Sequence, residues 1–310
     1  MIYTITLNVA IDKTTHIKRL EINELNRLDN IKKDAGGKGL NVSKSLQSMQ
    51  CPSVALGICP IDGSEFIKQE LDSYGIKYDF VLVDGSVRNN LKIIDAEGNL
   101  TEINETGPTI SKEDLDVFTK QCRKLLKPND MLILSGSVPN GIPKNYYAKL
   151  CTLAREISVN TIVDADGELF KNALTAGPTI IKPNRYELIQ YFGLAKNISN
   201  EELLGYAKQL INNDTRIVVL SLGSDGAYFI KKDQVIKTDA LEVDLKSSVG
   251  AGDSMVAAIA FAFNNRLPFR HLAQLATATA AATISIDGTR AADLDDINKL
   301  INQVKYQIIN

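Results

Sequence analysis

Three short segments carry residue types and spacings suited to moving a phosphoryl group. The sharpest is Gly250-Ala251-Gly252-Asp253, which follows Ser248 and Val249 and opens an uncharged run of helical character over 254–263. Glycines permit a tight turn that leaves main-chain N–H groups exposed, and a helix start adds partial positive charge. Such a cradle stabilises the charge on a phosphoryl group in flight, and a carboxylate beside it can take the proton of an attacking hydroxyl. Read alone, the segment suits Asp253 equally as the cap of an apolar helix. Met255 stands where a dinucleotide fingerprint needs its third glycine, and no Walker Gly-Lys-Ser/Thr is present.

The second segment, Gly36-Gly37-Lys38-Gly39-Leu40-Asn41, sets three glycines around one lysine at the start of a helix predicted over 38–47. The backbone can approach a ligand closely there while Lys38 supplies a point charge; a flexible turn with a solvated lysine is the plain alternative. The third, Lys182-Pro183-Asn184-Arg185-Tyr186-Glu187, follows a strand over 179–182. Asn184 and Glu187 stand three apart on one helix face, where they could orient metal-bound waters. The same spacing makes a capping box, which is the reading the segment alone favours. Weaker signals are Ser221, Gly223 and Gly226 around the turn after a strand at 217–222, Asp12 after the first strand, and Arg27 and Arg88 in two β-rich stretches. Each of these, taken singly, is an ordinary turn or surface residue.

Elements must bring these segments together. Strand-like runs at 54–59, 131–135, 159–164, 179–182 and 217–222 alternate with helical spacing at 38–47, 64–74, 112–126, 144–156 and 201–211. Two Ala-rich helices over 253–264 and 271–286 and a closing helix over 294–308 complete the pattern. It predicts an α/β fold, a doubly wound, mostly parallel sheet with helices on both faces. Two β-rich stretches, 12–35 and 78–106, with turns at 84–86 and 97–99, break the alternation and predict a small sheet standing off as a lid. No linker or internal repeat divides the chain, so one domain over 1–310 is expected.

Composition excludes several classes. The chain has 310 residues, 44% of them apolar and 23% charged, and a net charge of -2. That balance gives no footprint for nucleic acid or an anionic membrane, while a local cationic pocket stays open. Tyr3, Ile5, Leu7 and Val9 alternate with polar residues, so the N-terminal segment is a strand and no targeting signal. The apolar stretches at 255–263 and 275–286 are too short or too Thr-studded to span a bilayer, and a cytoplasmic protein is expected. Four scattered cysteines and two isolated histidines argue against a zinc site or a Ser-His-Asp triad.

In this order, the early Gly-Gly-Lys-Gly-x-Asn, the middle Lys-Pro-Asn-x-x-Glu and the late Gly-Ala-Gly-Asp resemble the ribokinase-like family of sugar kinases, over essentially the whole chain from 6 to about 287. Within it they are most similar to the branch that phosphorylates fructose 1-phosphate or tagatose 6-phosphate. The resemblance implies ATP and Mg²⁺ as cofactors, a small sugar phosphate as substrate, and a lid that can also form a homodimer. It implies Asp253 as general base and the amides of Gly250, Ala251 and Gly252 as the anion hole. Asp12 and Asn41 would hold sugar hydroxyls beside Gly37. Lys38, Arg88 and Arg27 would bind the phosphate already on the sugar. Lys182, Asn184, Ser221, Gly223 and Gly226 would face ATP, with Glu187 ordering the metal's waters. Two positions depart from the family pattern, Val9 where proline is usual and Pro60 in a stretch that is usually glycine-rich. A nicotinamide dehydrogenase would need a glycine fingerprint that 8–12 lack. A non-enzymatic sugar-phosphate sensor would have no use for a base beside an anion hole.

Overall fold

The computed structural model describes residues 1–246, 250–286 and 291–309. The strands are β1 (Ile2–Thr6), β2 (Ala10–His16), β3 (Lys32–Gly36), β4 (Ser53–Asp62), β5 (Lys77–Ser86), β6 (Arg88–Ile94), β7 (Leu100–Asn104), β8 (Met131–Ser135), β9 (Asn160–Asp164), β10 (Ile180–Ile181), β11 (Ile217–Ser221), β12 (Ala227–Lys231), β13 (Gln234–Thr238) and β14 (Tyr306–Ile309). The helices are α1 (Lys38–Ser48), α2 (Ser64–Ser73), α3 (Lys112–Leu125), α4 (Tyr146–Glu156), α5 (Gly167–Thr175), α6 (Arg185–Phe192), α7 (Asn200–Lys208), α8 (Ala251–Asn264), α9 (Phe269–Ile284) and α10 (Leu294–Ile301).

Ten strands form the main sheet in the order β14-β13-β12-β11-β10-β9-β8-β1-β4-β5. Pairing is parallel from β11 through β5, and antiparallel from β11 to β14. The period of two sorts its side chains onto two cores. Leu132 and Leu134 face α3, α4 and α5, whereas Met131 and Ile133 face α1, α8 and α9. A parallel sheet covered on both faces must be apolar on both, which is why these strands read as continuous hydrophobic runs. The doubly wound expectation holds.

β1 lies between β4 and β8, so the direction of winding reverses at its carboxyl end, and a crevice opens there. Over that crevice stands a second sheet, β3-β2-β6-β7. Its registers align Asp34, Asp12, Asn90 and Asn104 across the four strands, putting a polar row on one face.

Three expectations need correcting. The stretch 78–106 is not wholly part of the small sheet, because β5 pairs in parallel with β4 through Lys77–Ser86 and the expected turn at 84–86 lies inside that strand. The closing helix stops at Ile301, and β14 then pairs antiparallel with β13. The antiparallel extension β12–β14 was not foreseen. Pro60 lies in β4 beyond the last residue paired with β1, so its missing N–H takes nothing from the β1–β4 ladder, and the β4–β5 register shifts between Pro60 and Asp62. Val9 is buried in a small core with Ala35 and Leu40. The four cysteines are free. Among the described residues no helix is long and apolar enough to cross a membrane.

Candidate active site

The carboxyl ends of β9, β10 and β11 deliver Asp164, Lys182 and Ser221 to one crevice, and the starts of α1 and α8 face them. The result is a cavity of about 840 Å³, within the range of small-molecule sites. Every candidate residue named from the sequence lines it except Arg27, which is exposed between β2 and β3 and stands outside the lining. Ser248 and Val249 lie outside the described residues.

The head of α8 decides between the two readings of Asp253. Gly250 is the N-cap, at φ 90 and ψ -12, a left-handed conformation that a Cβ would strain. Asp253 therefore sits inside the first turn and does not cap the helix. The first helical bond is from Ser254 N–H to the Gly250 carbonyl, at 2.9 Å. Among the described residues no group accepts from the amides of Gly250, Ala251 or Gly252, as expected of the first turn of a helix. All three border the cavity.

Asp253 is 7% exposed, and its Oδ2 accepts from Asn41 Nδ2 at 2.8 Å. Burial pushes its carboxyl up to about 6, helped by the neighbouring Asp164 and opposed by Lys38, Asn41 and Lys182. Asn41 Oδ1 is buried without a partner among the described residues, an acceptor left for a ligand's donor.

Asp164, which sequence reasoning did not single out, organises the charges. It is 2% exposed and takes Lys182 Nζ at 2.9 Å, Lys38 Nζ at 3.3 Å and the Ser135 hydroxyl at 3.2 Å. Burial alone would raise its carboxyl; the two ammonium groups overcome that and hold it at about 2. Lys38 is in turn held above its ordinary value, first by Asp164. The signal was present in the sequence, as an acid ending an apolar strand run.

The small sheet supplies the opposite wall. Asp12 accepts from Lys92 Nζ and from Asn90 Nδ2, both at 2.8 Å, and all three are buried. Arg88 donates to the carbonyls of Asn8 and Glu105 and to Asn90 Oδ1, at 3.0–3.2 Å. Asn90 and Lys92 were missed, although two-residue spacing from Arg88 put them on its face.

Asn184 and Glu187 form the capping box: Asn184 Oδ1 accepts from Glu187 N–H and Glu187 Oε2 from Asn184 N–H, each at 2.8 Å. Burial, then Asp164, raises the Glu187 carboxyl. Arg185 turns away to Asn200 and the carbonyls of Lys196 and Ile198. The far end of the cavity is apolar, walled by Leu222, Met255, Ala280, Ala281 and Ile284. The α9 residues there carry no motif and could not have been found by spacing.

Residues 5–296 match the model of the pfkB family of carbohydrate kinases. The chain is 35% identical to a 1-phosphofructokinase of Borreliella burgdorferi, covering 100% of this chain and 99% of that one. It is 32% identical to a tagatose-6-phosphate kinase of Staphylococcus epidermidis, covering 98% and 99%. The fold matches a crystal structure of phosphofructokinase-2 from Escherichia coli in complex with substrates and products, with TM-score 0.93 over 97% of this chain and 98% of that one; at 24% identity that likeness speaks to fold alone.

Proposed function

The chain belongs to the pfkB family of carbohydrate kinases, and on that premise we propose that it transfers the γ-phosphoryl group of ATP to the 6-hydroxyl of fructose 1-phosphate. It is a sugar-phosphate kinase. The choice of sugar is supported by its similarity to 1-phosphofructokinases. Tagatose 6-phosphate is the alternative acceptor, favoured by a nearly equal similarity. Family membership leaves the dehydrogenase and sensor readings without support.

The observation that carries the mechanism is the head of α8, where one buried carboxylate stands beside three amides that have no acceptor among the described residues. As the sugar oxygen attacks the γ-phosphorus, its proton passes to an Asp253 oxygen, the bond to the β–γ bridging oxygen breaks, and ADP leaves. A carboxyl near 6 suits this work, being largely ionised at neutral pH yet more basic than a solvated aspartate. The amides of Gly250, Ala251 and Gly252 face the charge on the moving group.

Lys38, tied to Asp164 and within electrostatic reach of Asp253, is better placed for the transferred group than for the phosphate already on the sugar. That phosphate falls to Arg88, whose cavity wall carries a second cation in Lys92. Asp12 and Asn41 take sugar hydroxyls. Lys182, Asn184, Ser221, Gly223 and Gly226 take the ATP phosphates and ribose, and the apolar end takes the base.

Among the described residues no three acidic, His or Cys side chains converge to cage a metal. Glu187 spends one oxygen on its cap, and among the described residues no donor reaches the other, which fits a magnesium ion held through water. When bound, such an ion would neutralise charge on the ATP phosphates. The small sheet closing on the cavity would exclude water as a competing acceptor. On its opposite face Ile103 is 58% exposed, which supports a homodimer through this sheet.

Comparing kcat/KM for fructose 1-phosphate, tagatose 6-phosphate and fructose 6-phosphate by coupled ADP release tests the proposal. Fructose 1-phosphate should lead. A lead by either other sugar replaces the substrate, and a preference for unphosphorylated fructose removes the phosphate pocket.

A further inference from the structure

A largely buried ion pair outside the cavity has no part in the chemistry above. Lys44, on α1, is 2% exposed, and its ammonium donates to the Ala35 carbonyl at 2.7 Å and to Glu70 Oε1 of α2 at 2.5 Å. It also stands 5.2 Å from the centre of the Tyr74 ring. The second oxygen of Glu70 accepts the Ala35 N–H. Both main-chain polar groups of one residue are thus held by opposite charges from two different helices.

Ala35 is not an arbitrary residue. It is the penultimate residue of β3, the edge strand of the small sheet, which among the described residues pairs with β2 alone. Among the described residues the side of β3 turned away from β2 has no ladder, and Ala35 is 1% exposed, so water cannot satisfy it. One residue on, a Cβ at Gly36 would lie 2.4 Å from Asp12 Oδ1, so strand and carboxylate are in direct contact and cannot shift independently. Gly37, Lys38 and Asn41 follow at once.

We propose that Lys44 and Glu70 are positioning residues for the sugar side of the site: they lock the two peptide groups flanking Ala35, and through them Gly36, Asp12 and the start of α1, in the geometry that receives the sugar phosphate. This rests on the sugar-kinase reading given above. A buried ion pair is a poor source of net stability, since apolar side chains of like size often serve as well. What the charges supply here is direction, one acceptor and one donor aimed at the two peptide groups that flank a single residue. The ATP side is built from α6, the β11–β12 turn, α8 and α9; it meets α1 at Lys38 and Asn41, and among the described residues lining the cavity neither Lys44 nor Glu70 appears.

The test uses the full chain with Lys44→Met/Glu70→Met and, separately, Lys44→Arg. In the double variant KM for the sugar phosphate should rise about tenfold or more, the order expected when a remote change misplaces a binding group. KM for ATP should stay within about twofold. Deuterium exchange at the Ala35 amide should accelerate, and Lys44→Arg should keep sugar KM near that of the unmodified chain. A folded double variant with unchanged sugar KM, or with both KM values raised together, overturns the proposal. If the double variant does not fold, Glu70→Gln, which keeps the volume and one acceptor, is read by the same criteria. If the unmodified chain turns over no ketohexose phosphate, the functional reading fails first. Exchange at Ala35 then still reads the clamp, and an unchanged rate in a folded variant sinks it.

Discussion

The environment of Asp253 makes a signed prediction about pH. With the carboxyl at about 6, roughly 90% of the unliganded enzyme carries the ionised base at pH 7 and roughly 10% at pH 5. The acid limb of kcat/KM should therefore bend near pH 6 and fall about tenfold per unit below it. A phosphate monoester also titrates at about 6, so the unmodified profile alone does not identify the group. Two substitutions separate enzyme from substrate. Asn41→Leu removes the 2.8 Å donor that favours the ionised form, worth about 1.5 kcal/mol or more for a bond to a charge, and should move the limb up by about one unit. Asp164→Asn removes a neighbouring negative charge and frees two lysines from their counter-ion, and should move the limb down. The assay is coupled ADP release between pH 5 and 8 with the same two substrates throughout. Since the substrates titrate identically in every variant, any displacement belongs to the protein. A limb that stays in place in both variants, or that drops in Asn41→Leu, refutes Asp253 as the titrating base.

Asp253→Ala should lower kcat by roughly 10²–10⁴-fold, while ATP binding by calorimetry stays near that of the unmodified chain. Asp253→Asn should raise Tm at pH 7. A carboxyl at about 6 when folded and about 4 when unfolded makes stability fall as pH rises between those values, a cost of about 3 kcal/mol fully present above pH 6. The gain in Asp253→Asn should shrink as pH drops from 6 to 4, and pH-independent melting would contradict it. Arg88→Ala should raise KM for the sugar phosphate and leave KM for ATP unchanged, as read by initial rates at saturating partner substrate. Gly250→Ala places a Cβ at φ 90, costs about 1–2 kcal/mol in denaturant unfolding, and should lower kcat by moving the adjacent amides.

Much of the fold was legible because its strands are buried on both faces. Runs such as 131–135 and 159–164 cannot be surface segments, and the helices between them leave only a parallel sheet. The antiparallel end was not legible: β12 and β13 follow one another with no helix between them, outside the strand–helix alternation, and β14 follows a helix whose apolar spacing merely continues into Tyr306–Ile309. Strand β5 was assigned to the wrong sheet for a similar reason, since its half-exposed edge alternates as weakly as the small sheet's strands do.

In the site, spacing in the chain determined the local devices: a glycine turn before a helix, a capping box at Asn184 and Glu187, a lysine among glycines. A motif states which backbone shape is possible, because glycine φ and helix register depend on neighbours in sequence. Partnership was decided by tertiary structure alone. Asn41 and Asp253 are 212 residues apart and 2.8 Å in space, and Asp164 draws Lys38 and Lys182 from two different elements. Electrostatic work depends on distance and on exclusion of water, and both are set only when the two sheets and their helices close around the crevice.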